Sequence, residues 1–206
     1  MDVHRRTRFQ GGPGARARGR GGEDLSRGPG LSRHVAGQVV EAAKPINYSG
    51  QGFSLLGEKG RFVLPPDFRK AVRDSGMGER VLCLAKHPRW KCLTAFGLGR
   101  VDMFEAELDK LERNAIERGQ DFDRELRANQ MYGFARVPFD DSGRFVMPER
   151  YFKLGNIVDR AFFQGGGLQF TIWNPEELGK LGEGWEDAQE ACRDLEAQAL
   201  SGKARK

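Results

Sequence analysis

The chain has 206 residues and carries 34 Lys and Arg against 29 Asp and Glu, a formal charge of +5. That length holds one compact domain or two small ones, and 38% hydrophobic residues support a core over part of the chain only. No apolar run reaches the ~18–20 residues of a membrane helix, the N-terminus lacks the apolar segment of a secretory signal, and three cysteines (Cys83, Cys92, Cys192) exclude a disulfide scaffold and fit a reducing cytoplasm.

Residues 1–45 hold eight Arg and Lys44 against four acids, so the whole basic excess sits there; residues 46–206 carry 25 charges of each sign. Nine glycines break this segment into strings such as Arg16-Ala17-Arg18-Gly19-Arg20. It cannot bury enough apolar surface to offset its chain entropy and is expected to be a disordered Arg/Gly tail. Such a tail attracts nucleic acid loosely through phosphates; alternatively it is a dispensable extension.

Beyond it the chain repeats itself. Gly60-Arg61-Phe62-Val63-Leu64-Pro65-Pro66-Asp67-Phe68-Arg69-Lys70 matches Gly143-Arg144-Phe145-Val146-Met147-Pro148-Glu149-Arg150-Tyr151-Phe152-Lys153 at an offset of 83, with six of eleven positions identical. The match resumes after a six-residue deletion, Lys91 to Phe96 against Leu168 to Trp173. Duplication of a unit of about 45 residues is the economical reading.

In the first unit, residues 51–98, a strand begins near Phe53, a turn falls at Glu58-Lys59-Gly60, and Arg61 to Leu64 alternates as a strand with Phe62 and Leu64 on one face. Pro65 ends that strand, a short helix follows over 66–74, and strands are expected at 80–85 and 91–96. Residues 99–133 form a helical linker, with Met103, Leu108, Leu111 and Ala115 as an apolar stripe on 101–118 and a second helix over 121–132. The second unit, 134–177, repeats the plan, with a turn at Asp140-Asp141-Ser142-Gly143, a strand at Arg144 to Met147, a helix over 149–154 and strands at 159–164 and 168–173. Residues 178–206 add a polar, weakly amphipathic C-terminal helix, exposed or packed on a neighbour. A 45-residue unit is too small to hold a core alone, so the two copies are expected to interleave into one pseudo-symmetric barrel. The fold class is mainly β with flanking α-helices.

Arg61 and Arg144 each follow a glycine turn at the start of a strand, where a planar guanidinium can grip phosphate or a guanine edge. Lys59 stands beside Arg61, whereas Asp140 and Asp141 stand beside Arg144. Arg61 is therefore the expected free guanidinium, and Arg144 the one partly held in its turn. Arg69, Lys70 and Arg73 share a helix face that meets either phosphate or solvent. Cys83, His87 and Cys92 match no zinc spacing and read as buried structural residues. Gly165-Gly166-Gly167 lacks the context of a phosphate loop and reads as a hairpin turn. No catalytic residue, metal site or cofactor is indicated.

On the Gly-Arg-Phe-Val repeats, on Asp140-Asp141-Ser142-Gly143-Arg144 and Pro148, and on His87-Pro88 and Phe170-Thr171-Ile172-Trp173, the chain resembles the MraZ family of bacterial transcriptional regulators over about residues 49–178. The first copy departs from the family's Asp-x-x-Gly-Arg pattern, because Gly57 replaces the Asp before Gly60 and Arg61. The resemblance implies two tandem swapped-hairpin, AbrB-like units. It implies a cytoplasmic, nucleoid-associated DNA-binding regulator of the division and cell-wall gene cluster, including its own gene. It also implies ring-like homo-oligomers on direct-repeat double-stranded DNA, with Lys59, Arg61, Arg144 and Arg69 toward the DNA and Gly60, Asp140 and Gly143 as motif residues. Two other readings stay open: an oligomeric protein-interaction module, and a non-specific nucleic-acid binder working through the tail.

Overall fold

The computed structural model describes residues 47–204, and the Arg/Gly tail expected over 1–45 lies outside them. Each unit lays down the same series. The first gives β1 (Gln51–Leu55), a 3-10 turn (Glu58–Gly60), β2 (Arg61–Val63), α1 (Pro66–Ser75), β3 (Val81–Lys86) and β4 (Leu93–Phe96). The linker gives a 3-10 turn (Leu98–Met103), α2 (Phe104–Glu117) and α3 (Arg124–Tyr132). The second unit gives β5 (Ala135–Pro138), β6 (Arg144–Val146), α4 (Glu149–Gly155), β7 (Arg160–Gly165) and β8 (Phe170–Trp173), followed by α5 (Pro175–Gly179) and α6 (Glu186–Ala204). Pro65 and Pro148 occupy the N-cap positions of α1 and α4, so the residue that ends each strand also starts each helix.

The copies exchange strands. The main sheet runs β1-β7-β8-β4-β3-β5, all antiparallel, so β1 of the first unit pairs with β7 of the second, and β5 of the second pairs with β3 of the first. Exchanging the units turns that order into its own reverse, with β4 and β8 at the centre. A two-stranded ribbon, β2 with β6, joins the two edge strands. At one join Gly57 N–H donates to the Arg61 carbonyl and Val63 N–H to Ser54 Oγ, both at 2.9 Å. At the other, a single bridge links Phe139 and Phe145. The six-stranded sheet and the ribbon are thus separate ladders, linked at both joins by these contacts. The deletion between the copies is split in two: the offset is 83 at Phe62 and Phe145, 79 at Val81 and Arg160, and 77 at Leu93 and Phe170. It shortens the α1–β3 passage and then the β3–β4 hairpin.

Phe62, Leu64, Phe68, Phe145, Met147 and Tyr151 fill the interior from both units. Phe62 is fully buried, with its ring 6.2 Å from Phe145 and 6.0 Å from Phe152. A second cluster lies under α6, where Ala188 and Cys192 pack on Phe162, Trp173 and Cys92. Trp90 and Trp185 complete it, their rings edge-on at 4.8 Å, with Trp185 5.3 Å from Trp173. Arg160 of β7 holds Glu196 of α6 at 2.7 Å.

Two expectations about helices change. The C-terminal helix neither stands free nor waits for a neighbour; it packs on its own chain, through side chains too small to give a strong apolar stripe in the sequence. On α2 the buried residues are Phe104 and Leu108, while Met103 is 40% exposed because it closes the preceding 3-10 turn instead of joining the helix.

Phe62 couples the ribbon to the core, so Phe62→Ala should lower unfolding free energy by about 3–5 kcal/mol, read by urea denaturation.

Candidate nucleic-acid interface

The ribbon has two chemically different faces because its residues alternate. Arg61 pairs with Val146, Phe62 with Phe145 and Val63 with Arg144. The two phenylalanines point inward; Arg61, Val63, Arg144 and Val146 point outward, with Val63 41% and Val146 57% exposed. The two arginines therefore lie on one diagonal of the outer face, each opposite a valine.

The turns that lead into the two strands differ. In the second unit Asp140 Oδ1 accepts from the N–H groups of Ser142 and Arg144, both at 2.9 Å, and Gly143 N–H donates to the Asp140 carbonyl at 2.8 Å. Gly143 has a φ of +81°, and a Cβ there would lie 2.9 Å from the Leu64 carbonyl oxygen, which suits glycine alone. The Gly143 carbonyl in turn accepts from Leu64 N–H at 2.8 Å. In the first unit Gly57 makes the equivalent backbone bond to Arg61 but has no side chain to organise the turn; Lys59 (φ 58°) and Gly60 (φ 65°) take left-handed conformations instead.

The charge arrangement corrects the expectation of a free Arg61. Asp140 Oδ2 lies 3.7 Å from Arg144 Nη1 and 4.0 Å from Arg61 Nη1, so one carboxylate serves both arginines. The strand exchange is the cause: it sets the second unit's turn beside the first unit's strand, so the Asp missing at position 57 does not leave Arg61 without an acid. Arg144 is the more exposed of the two, with 51% of its side chain accessible against 34% for Arg61. The hydrogen bond from Arg144 N–H, opposed by desolvation and supported by the Ser142 N–H and the charges of Arg144 and Arg61, holds the Asp140 carboxyl below its ordinary range.

Two further guanidiniums flank the same turn. Arg69 Nη1 donates to the Asp141 carbonyl at 3.2 Å, and Arg80 pairs with the Asp141 carboxylate. Arg61, Arg69, Arg80 and Arg144 thus surround two carboxylates, a local balance of +2. Arg80 carries no motif, and only the pairing of β3 with β5 brings it here. Lys59 and Gly60 belong to the other turn, while Lys70 is tied to Asp74 at 2.8 Å within α1.

The remaining sequence candidates have structural places. Cys83 and Cys92 are fully buried, and burial pushes the Cys83 thiol up to about 11. His87 Nδ1 accepts from Arg89 N–H at 3.2 Å and Trp90 N–H at 3.0 Å, its ring stacks on Trp90 at 4.6 Å, and burial lowers its pKa. Residues 165–167 make the β7–β8 turn, with Gly166 N–H donating to the Gln169 carbonyl.

No protein-family model matches the chain. Its similar proteins include the transcriptional regulator MraZ of Ruegeria pomeroyi, 28% identical over 137 residues, 62% of this chain and 77% of that protein. The regulator of the same name from Caulobacter vibrioides is 28% identical over 121 residues, 59% of this chain and 72% of its own length. That of Oleidesulfovibrio alaskensis is 26% identical over 133 residues, 65% and 84% respectively.

The depressed Asp140 pKa fixes a pH dependence. Its contribution to stability is present above the unfolded-state value of about 4 and is lost as pH falls through the lower folded-state value. The Asp140 carboxyl resonance should therefore titrate below about pH 4, and the melting-temperature difference between the native chain and Asp140→Asn should vanish only in that acid range. A midpoint at the ordinary value would show that the turn does not hold the charge.

Proposed function

We propose that this chain, which belongs to the MraZ family of transcriptional regulators, binds double-stranded DNA sequence-specifically through the outer face of the β2/β6 ribbon. The observation that supports this reading is the diagonal pair of arginines on that face. A two-stranded antiparallel ribbon fits the major groove, and a guanidinium donates bidentately to the O6 and N7 of guanine. Asp140 keeps both guanidiniums at the surface with weak ion pairs that DNA can replace. Arg69 and Lys59 flank the ribbon and suit phosphate, which positions a protein without reading sequence. The relatives are named as regulators of transcription, and we read the chain as non-enzymatic, without a cofactor. The target is the promoter of the division and cell-wall gene cluster, including the chain's own gene, and the site of action is the nucleoid in the cytoplasm. Among the described residues no helix is long and apolar enough to cross a membrane.

The active form is a homo-oligomer, which we take to be a ring. Ile116, Leu126 and Tyr132 of α2 and α3 are exposed by 69%, 54% and 40%, apolar surface that a second copy would cover. Each added ribbon engages repeated DNA at high effective concentration.

The test is a set of binding isotherms on the chain's own upstream DNA and on a scrambled duplex. Arg61→Ala and Arg144→Ala should each lose roughly 1–3 kcal/mol of discrimination per site, and neither should shift the melting temperature much, since an exposed ion pair is worth about 0–1 kcal/mol. Operator binding equal to the native chain's in both variants would overturn the interface. Removing residues 1–45 should flatten the salt dependence modestly and keep the sequence preference; loss of discrimination would instead favour a tail-driven binder. Light scattering at micromolar concentration should give a mass well above one chain, and a monomer there would end the ring.

A further inference from the structure

A cleft of about 430 Å³ opens beside the β3–β4 hairpin, between the start of α2 and the end of α3. It shares no residue with the ribbon or its turns. Among the described residues, four buried side-chain polar atoms lack a hydrogen-bond partner, and three of them belong to two residues of this cleft: Thr94 Oγ1, Arg100 Nε and Arg100 Nη1. Thr94 is 5% exposed and Arg100 9%. The guanidinium makes one ion pair, from Nη2 to Glu107 at 2.9 Å, and lies 5.6 Å from the centre of the Phe104 ring.

The fourth such atom is Arg61 Nε on the ribbon; the other buried polar side chains among the described residues are satisfied. Asn174 Nδ2 donates to the Asn156 carbonyl at 2.6 Å, Glu177 accepts from Asn156 and Lys180, and Ser54 accepts from Val63. A guanidinium withdrawn from water with two idle nitrogens, in the same cleft as an idle hydroxyl, is a costly arrangement that an incoming acceptor relieves. The charge balance of the cleft sets the sign of that acceptor: Lys86, Arg100 and Arg127 outnumber Glu107 by two. Its walls set the rest. Phe96 and Phe104 stand edge-on at 5.6 Å and offer an apolar surface beside the guanidinium. A volume of this order suits a small organic molecule.

We propose that this cleft binds a small organic monocarboxylate, its carboxylate taken by Arg100 and the Thr94 hydroxyl and its apolar body resting on Phe96 and Phe104. A carboxylate matches the planar guanidinium, and a single charge is compatible with Glu107 remaining in place.

The test uses the full chain, with phenylacetate and its neutral isostere phenylacetamide as probes, followed by isothermal titration and ligand-observed NMR. Phenylacetate should bind saturably at millimolar concentration, and phenylacetamide at least about tenfold more weakly, as expected for loss of a charge-assisted hydrogen bond. Thr94→Val, which keeps the side chain's shape, and Arg100→Gln should each weaken phenylacetate severalfold or more. Arg61→Ala should bind it like the native chain. Equal affinity for acid and amide, or unchanged affinity in both cleft variants, overturns the proposal. So does absence of saturable binding, including the case in which Arg100→Gln lowers the oligomer mass, because a second copy's carboxylate would then fill the cleft. The acid–amide comparison needs no variant, so a failure of Arg100→Gln to fold leaves the test intact.

Discussion

A unit of four short strands and one short helix encloses too little volume to bury a phenylalanine from every side. Phe62 is fully buried with Phe145 and Phe152 of the other unit against its ring, and Phe145 is buried with Phe62 against its own. Exchanging β1 and β5 between the units meets this constraint, and most of the architecture follows from it. The six-stranded order that reads the same from either end, the ribbon joining its edges, and the prolines that stop β2 and β6 and start α1 and α4 all serve one shared interior.

The same exchange sets the chemistry of the ribbon. Two arginines and one aspartate meet there although Arg61 and Asp140 are far apart in the chain. Full symmetry would give two carboxylates to two guanidiniums; Gly57 leaves one. The surface therefore keeps positive charge, and the aspartate that organises the second turn also lies within ion-pair distance of both side chains. The first turn, with left-handed Lys59 and Gly60 in place of an Asp-capped turn, is the less organised half of a pair that is symmetric in backbone and unequal in charge.

Local signals made much of this readable. Alternation at Arg61 to Val63 and Arg144 to Val146, the following prolines and the Gly-Arg repeat place β2, β6, α1 and α4 within a residue of where they stand, while the linker and C-terminal helices begin about three residues later than their polar sequence suggests. Information carried by pairing between distant segments was not readable. Nothing near Arg61 announces Asp140, nothing near Arg80 announces Asp141, and the split of the deletion between two connections appears only when the ladders are aligned. The docking of α6 was hidden for a different reason. Its inward side chains are Ala188 and Cys192, whose small volume gives a weak periodic signal but lets the helix approach the sheet closely. Arg100 was equally hidden, since a lone arginine before a helix reads as surface until its burial is seen.

The aromatic cluster beneath α6 has a spectroscopic consequence. The chain has three tryptophans, Trp90, Trp173 and Trp185, and all three belong to that one cluster, away from the ribbon. Intrinsic emission from this protein is therefore a report on how firmly the C-terminal helix is seated. A change confined to the ribbon leaves the signal dark, and a tryptophan placed at the outward Val63 or Val146 would give that face an optical voice of its own.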